Sequence, residues 1–125
     1  MKKISLIFFL SFVLNLLWEN AHSLLYASYR GAPITEFILV RASLGDALIL
    51  TLLSLLFIHL SYFKKIKWLI IPIGILIAIL IELYALQTGR WAYNTAMPII
   101  PFLNVGLTPA IQLGVLGYVV YVILL

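Results

Sequence analysis

No cysteine occurs anywhere in the chain. Disulfide staples, thiolate metal sites and cysteine nucleophiles are excluded together. Charge is almost as scarce: 10% of the 125 residues are charged, where a soluble domain carries about 25%. There is no Gly-rich phosphate loop and no H-E-x-x-H unit, and no segment has the paired carboxylates of an intramembrane protease. Neither an internal repeat nor a low-complexity tract breaks the sequence, so it reads as a single domain, 1–125. What is abundant is apolar surface, with 65% of residues hydrophobic. A chain this short has too little interior to hide it from water, and lipid is the expected solvent.

The net charge of +4 raises the question of a nucleic-acid partner. Five of the eight basic residues are Lys2, Lys3, Lys64, Lys65 and Lys67, all at the ends of apolar runs. That is the distribution of topology signals rather than of a phosphate-binding patch, and no nucleic acid is expected.

A bilayer core needs about 20 apolar residues per helix. Four segments qualify, at about 4–29, 36–62, 68–87 and 109–125. The fold class is therefore all-α: a polytopic membrane protein of four transmembrane helices. The first segment also has the outline of a secretory signal, with Lys2-Lys3, an apolar core and Ala21-His22-Ser23. Its apolar and aromatic residues run on to Tyr29, past any such cut, which favours a span. The lysines mark one side of the membrane at residues 2–3 and 64–67, so both termini are expected in the cytoplasm, N-in/C-in, in the cell (inner) membrane. Trp68 then anchors the inner interface, and Trp91 and Tyr93 the outer one. Thr108 is placed to cap the last helix, with Pro109 at its first position. The connection 88–108, TGRWAYNTAMPIIPFLNVGLTP up to Thr108, is too apolar for a free loop. It reads as an interfacial or re-entrant segment lying over the bundle as a lid.

Depth follows from a rise of about 1.5 Å per residue. Glu19 lies about 22 Å up the first helix, and Glu82 about 21 Å up the third. Asp46 lies about 15 Å down the second helix from its outer end. Gln112 is in the first turn of the fourth. Four helices thus bring their polar residues to the outer half of the bilayer. Asn15, Trp18, Glu19, His22 and Tyr26 form one stripe of the first helix, and Ser43, Asp46, Ala47, Leu50 and Ser54 one face of the second. Ala78, Ala85 and Gly89 flank Glu82. A central charge costs about 2.5–3.5 kcal/mol on the insertion scale, so three carboxylates must face one another, water or a ligand.

Glu19, His22, Asp46 and Glu82 are the candidate catalytic residues. Trp18, Arg90, Trp91, Tyr93 and Gln112 are the candidate substrate-binding residues. Arg41, five residues from Asp46, reads as a snorkelling cation, the alternative being a pair with a carboxylate of another helix. Glu19-Asn20-Ala21-His22 is a single E-x-x-H unit. Di-iron bundles need two, so no metal and no cofactor are expected. Ser23 and Ser43 lack a contacting base and orienter, which leaves no serine-hydrolase signature.

The set WENAHSLLY, RASLGDAL, and GRWAYNTAMPIIP followed by GLTPAIQ resembles an uncharacterised family of small prokaryotic four-helix integral membrane proteins. The resemblance covers most of the chain. It implies the four-helix architecture and groups Glu19, Asp46, Glu82, Arg90, Trp91 and Tyr93 in one place. It brings no activity with it.

Three functions suit such a site. The first is acid–base chemistry on a membrane lipid, an isoprenoid or another apolar small molecule. The second is an accessory or assembly subunit whose polar cluster locks helices together. The third is a small proton-linked transporter or channel, which four helices would support only as an oligomer. The small residues Ala110, Gly114 and Gly117, with Tyr121, form the face expected to meet a second copy.

Overall fold

The computed structural model describes residues 2–125. It contains α1 (Lys2–His22), β1 (Tyr26–Tyr29), α2 (Glu36–His59), the short α3 (Ser61–Lys64), α4 (Ile70–Gln87), β2 (Trp91–Tyr93), β3 (Ile99–Ile100), β4 (Val105–Gly106) and α5 (Leu107–Leu124). Four helical segments, Lys2–Leu25, Glu36–His59, Lys67–Gln87 and Leu107–Leu124, are long and apolar enough to cross a membrane. Large side chains such as Phe9, Leu17, Phe37, Leu52, Leu76 and Leu80 stand exposed along them. This is the surface of a bundle whose solvent is hydrocarbon.

The chain is mostly helical but not all-α. The first helix stops at His22, well short of residue 29, and continues as a 3-10 turn and then as β1. Antiparallel pairing of β1 with β2 takes over, with Tyr26 opposite Tyr93 and Tyr29 opposite Trp91. Aromatic residues favour such a ribbon. Beyond Tyr29 the chain reverses through Arg30 and Gly31, both at positive φ. The backbone N–H groups of Tyr29 and Ala32 bond each other's carbonyls across this two-residue turn, at 2.9 and 3.0 Å. Turns with two positive φ angles suit tight hairpins. The second helix ends at His59 because Leu60 turns extended, and Ser61 and Tyr62 belong to the separate α3. Thr35 caps α2 by accepting the Ile38 N–H at 3.4 Å, with Glu36 in the first turn, where an acid favours the helix dipole.

The connection before α5 is built of strands. Besides β2 it holds a hairpin, β3–β4, with Ile99 opposite Gly106 and Ile100 opposite Val105. Its tip is exposed at Phe102 and Leu103, while Met97 and Val105 are buried at its stem. Thr108 does not cap α5. The cap position is Gly106, without a side-chain bond, and the Thr108 hydroxyl is used elsewhere.

α1 packs on α2, α4 packs on α5, and α1 joins the two pairs through α5, whereas α4 has few close backbone approaches to α1 or α2. Glycine sets the closest approach. A Cβ on Gly74 would lie 2.5 Å from the Gly114 nitrogen, and one on Gly114 would lie 2.5 Å from the Ile71 carbonyl oxygen. Gly117 faces the Ile70 and Leu50 side chains, and Ala110 and Tyr121 are fully buried. The face expected to meet a second copy is therefore occupied by α4 and α2 of the same chain. Small residues let backbones touch in lipid, and that contact forms here within one molecule. Ile7, Leu50, Phe57, Ile70, Val120 and Tyr121 fill the end of the bundle nearest the termini. There the Tyr121 hydroxyl donates to the Leu50 carbonyl oxygen at 2.5 Å.

Candidate functional site

Two polar clusters meet at the end of the bundle that the β1–β2 ribbon covers. The first is built on Gln112, one turn and a half into α5. Its Nε2 lies 2.9 Å from Asn15 Oδ1, 3.1 Å from Glu19 Oε1 and 3.0 Å from Asp46 Oδ2. One amide nitrogen thus ties α1, α2 and α5 together. Behind Glu19, His22 places Nε2 3.0 Å from Glu19 Oε2 and Nδ1 3.0 Å from the Thr108 hydroxyl. That hydroxyl in turn contacts Met97 Sδ at 3.5 Å. The i, i+3 spacing on one helix turn makes the Glu19–His22 contact. In the Nε2–H tautomer the ring donates to Oε2 and leaves Nδ1 to face the Thr108 hydroxyl.

The second cluster is built on Glu82, which is buried on α4. Its Oε1 accepts from the Tyr26 hydroxyl at 3.0 Å and from the Tyr93 hydroxyl at 2.6 Å. The β-ribbon explains why: Tyr26 and Tyr93 are register partners, so one pair of opposed residues delivers both phenols to one carboxylate. Tyr93 also accepts the Gly106 N–H at 3.0 Å, which links Glu82 to the start of α5. Burial pushes both phenols above the usual tyrosine range, and Glu82 adds to the rise. Both therefore remain hydrogen-bond donors at any physiological pH.

A cavity of about 320 Å³ separates the clusters. α1 contributes Glu19, α2 contributes Arg41, Ala42, Gly45 and Asp46, α4 contributes Ala78, Ile81 and Glu82, and α5 contributes Pro109, Gln112 and Leu113. Tyr26, Tyr29, Arg90 and Trp91 close the ribbon end.

Of the residues singled out in the sequence, Glu19, Asp46, Glu82, Arg90, Trp91 and Gln112 line this cavity. His22, Trp18 and Tyr93 stand behind its wall. Trp18 Nε1 donates to the Thr108 carbonyl oxygen at 3.2 Å, so its indole fastens α1 to α5. Trp91 and Tyr93 are half-buried in the ribbon and are not free interfacial anchors. Of the connection before α5 only Arg90 and Trp91 line the cavity, with Pro109 at the helix start, and the β3–β4 hairpin does not. Arg90 rests over the Tyr84 ring, 5.9 Å from its centroid, and pairs with no carboxylate among the described residues. Arg41 neither meets a carboxylate nor simply snorkels. Its Nη2 donates to the Tyr29 hydroxyl at 2.5 Å, and its guanidinium stands 5.6 Å from that ring's centroid.

Sequence reasoning missed Tyr29 and Gly45 and put Tyr26 on the wrong element. The available signal was YASYRGA, aromatic residues at strand spacing before an Arg-Gly reversal. Among the described residues no group of three His, Asp or Glu side chains is arranged to hold a metal ion. Glu82 is turned to the tyrosines while Glu19 is turned to His22.

No family model, curated protein or solved structure matches this chain, and its identification rests on its own architecture: a small protein of four helices long and apolar enough to span a membrane, with a buried polar network around Glu82.

Proposed function

We propose that this chain is an integral, multi-pass protein of the cell (inner) membrane that binds an apolar or amphipathic small molecule, a lipid or an isoprenoid, and acts on it by proton transfer. The observation that carries the reading is the cavity itself. Three carboxyl groups, of Glu19, Asp46 and Glu82, line about 320 Å³ of open space, within the range of about 300–1,000 Å³ typical of small-molecule pockets. A cluster that served only to lock helices would be expected to pack its polar groups without leaving that volume.

Donor counting supports acid–base competence. The Gln112 amide has two protons for three acceptors, two of them carboxyl oxygens within 3.1 Å of the same nitrogen. Glu19 and Asp46 thus crowd a single donor nitrogen at the cavity wall. Together with the Glu19–His22 pair, this wall of the cavity sets groups capable of acid–base exchange next to an open volume. Transport fits less well. Ser43, Thr51 and Ser54 donate to carbonyls of their own helix, and Phe57, Ile70, Val120 and Tyr121 fill the bundle beyond them, so no polar path continues to the far end.

The lysine asymmetry puts both termini in the cytoplasm. Reporter fusions after Leu125 and within 64–67 should then read as cytoplasmic, and fusions within 90–105 as external. An external C-terminus would refute the orientation.

Glu19→Gln tests the chemistry. Glutamine keeps the shape, can still accept from Gln112 and can donate to His22, but it cannot exchange the proton. Thermal unfolding in detergent should be nearly unchanged, while complementation of a deletion strain should be lost. A stable variant that complements fully would sink the proton-transfer reading and leave the assembly role.

A further inference from the structure

We propose that the cavity opens sideways into the bilayer, between α2 and α4, and that its occupant is a single-chain amphiphile entering from the lipid with a hydrogen-bond-donating end group, a hydroxyl or an amine, foremost. The proposal deepens the reading of the cavity as a ligand site and rests on it.

The route follows from the packing. α2 and α4, like α1 and α4, have few close backbone approaches, yet α2 and α4 both line the cavity. Gly45 on α2 and Ile81 on α4 are exposed on the outer surface and also line the interior. A residue that belongs to both surfaces marks an opening. Gly45 carries no side chain there, and a Cβ built on it meets nothing within 4 Å. It lies about 14 Å along α2 from its Glu36 end, and Ile81 about 9 Å from the Gln87 end of α4, at 1.5 Å per residue. Both depths fall inside a hydrocarbon core about 30 Å thick. The opening between Gly45 and Ile81 therefore faces acyl chains, while Arg41 and Arg90, exposed and lining the same cavity, mark its ribbon end.

The occupant follows from what lies behind the opening. Ala42, Ala78 and Leu113 give the walls an apolar character that suits a chain. The cavity also presents the carboxyl groups of Glu19, Asp46 and Glu82, whose oxygens accept hydrogen bonds. The Trp91 indole nitrogen, on the ribbon side of the same cavity, is buried with no partner among the described residues. A volume of about 320 Å³ takes a polar end group and the first part of one chain. The remainder of a longer molecule stays in the opening and in the surrounding lipid.

The test uses the whole protein in phosphatidylcholine vesicles with a long-chain fatty alcohol bearing a diazirine near its hydroxyl. After photolysis, adducts are mapped by mass spectrometry. The wild type should carry adducts on cavity residues (Glu19, Asp46 or Glu82) and on lipid-facing residues such as Leu76 and Leu80. Gly45→Phe has room for its ring in the opening and removes a helix-interior glycine, so it should fold at least as well as the wild type. In it the cavity adducts should be lost while the lipid-facing adducts persist. Ile81→Trp, on the opposite lip, should do the same. Cavity adducts that survive in both folded variants would overturn the route, as would labelling confined to the outer surface. So would cavity labelling by a short, water-soluble diazirine alcohol that is unaffected by Gly45→Phe. Glu19→Gln should keep the cavity adducts. If it keeps them and also keeps function, the proton-transfer reading fails while the lateral route stands.

Discussion

Gln112→Leu is expected to be the most destabilising single change of a polar residue in this protein. Leucine fills nearly the same space but removes the one amide that reaches Asn15, Glu19 and Asp46. Two carboxyl groups and a buried amide oxygen then lose their donor at once. Removing one partner of a buried charged network costs about 3–5 kcal/mol, because the remaining polar groups stay desolvated. Thermal unfolding in detergent should fall by about 10–20 °C, scaling that loss for a chain of this size. Adding Asp46→Leu should recover part of it, since replacing both partners by apolar groups is far less costly than orphaning one. A double-mutant cycle with no coupling between positions 46 and 112 would contradict this account of the network.

Glu82→Leu should release the ribbon rather than unfold the bundle. The carboxylate is the shared acceptor of Tyr26 and Tyr93, and a hydrogen bond to a charged group contributes about 1.5–3 kcal/mol. Losing the pair should lower amide-exchange protection of Tyr26–Tyr29 and Trp91–Tyr93 by about 100-fold, the equivalent of about 3 kcal/mol. Protection of α5 around Val120 and Tyr121, at the far end, should hold. The same cluster sets an alkaline limit. Burial, and then Glu82, hold both phenols above their ordinary range. Their contribution to stability is thus fully present below the unfolded tyrosine value of about 10 and is lost as pH rises through the folded values. Tyrosinate absorbance that appears only with alkaline unfolding should shrink in Tyr26→Phe and in Tyr93→Phe. Equal protection of the ribbon in Glu82→Leu and wild type would show that the tyrosines are held by packing alone.

The cost of charge in lipid made part of this site legible. Glu19, Asp46 and Glu82 had to leave the lipid face, and depth counting brought them to one level with Gln112. The Glu19–His22 contact was visible as i, i+3 spacing. The strands were not. Tyr26 continues the helical stripe of Asn15, Glu19 and His22, and nothing local distinguishes its helical from its extended setting. Pairing with residues 91–93, over sixty positions away, decides it. Thr108 followed by Pro109 has the form of a helix start, but His22 claims the hydroxyl from another helix. The glycines of α5 posed a different difficulty. Small residues at helical spacing specify close approach without specifying the partner, and Gly114 meets Gly74 of the same chain rather than a second copy. Arg41 misled because its partner, Tyr29, sits on a strand the helical reading had absorbed.

The most direct test of the central claim is a high-resolution cryo-EM map of the protein extracted with its own membrane lipid. The account predicts elongated density that passes between Gly45 and Ile81 and ends against Glu19, Asp46 and Glu82. A bundle with α2 closed onto α4 and the three carboxyl groups paired only with protein side chains would contradict it, and so would a file of waters running through to the chain termini.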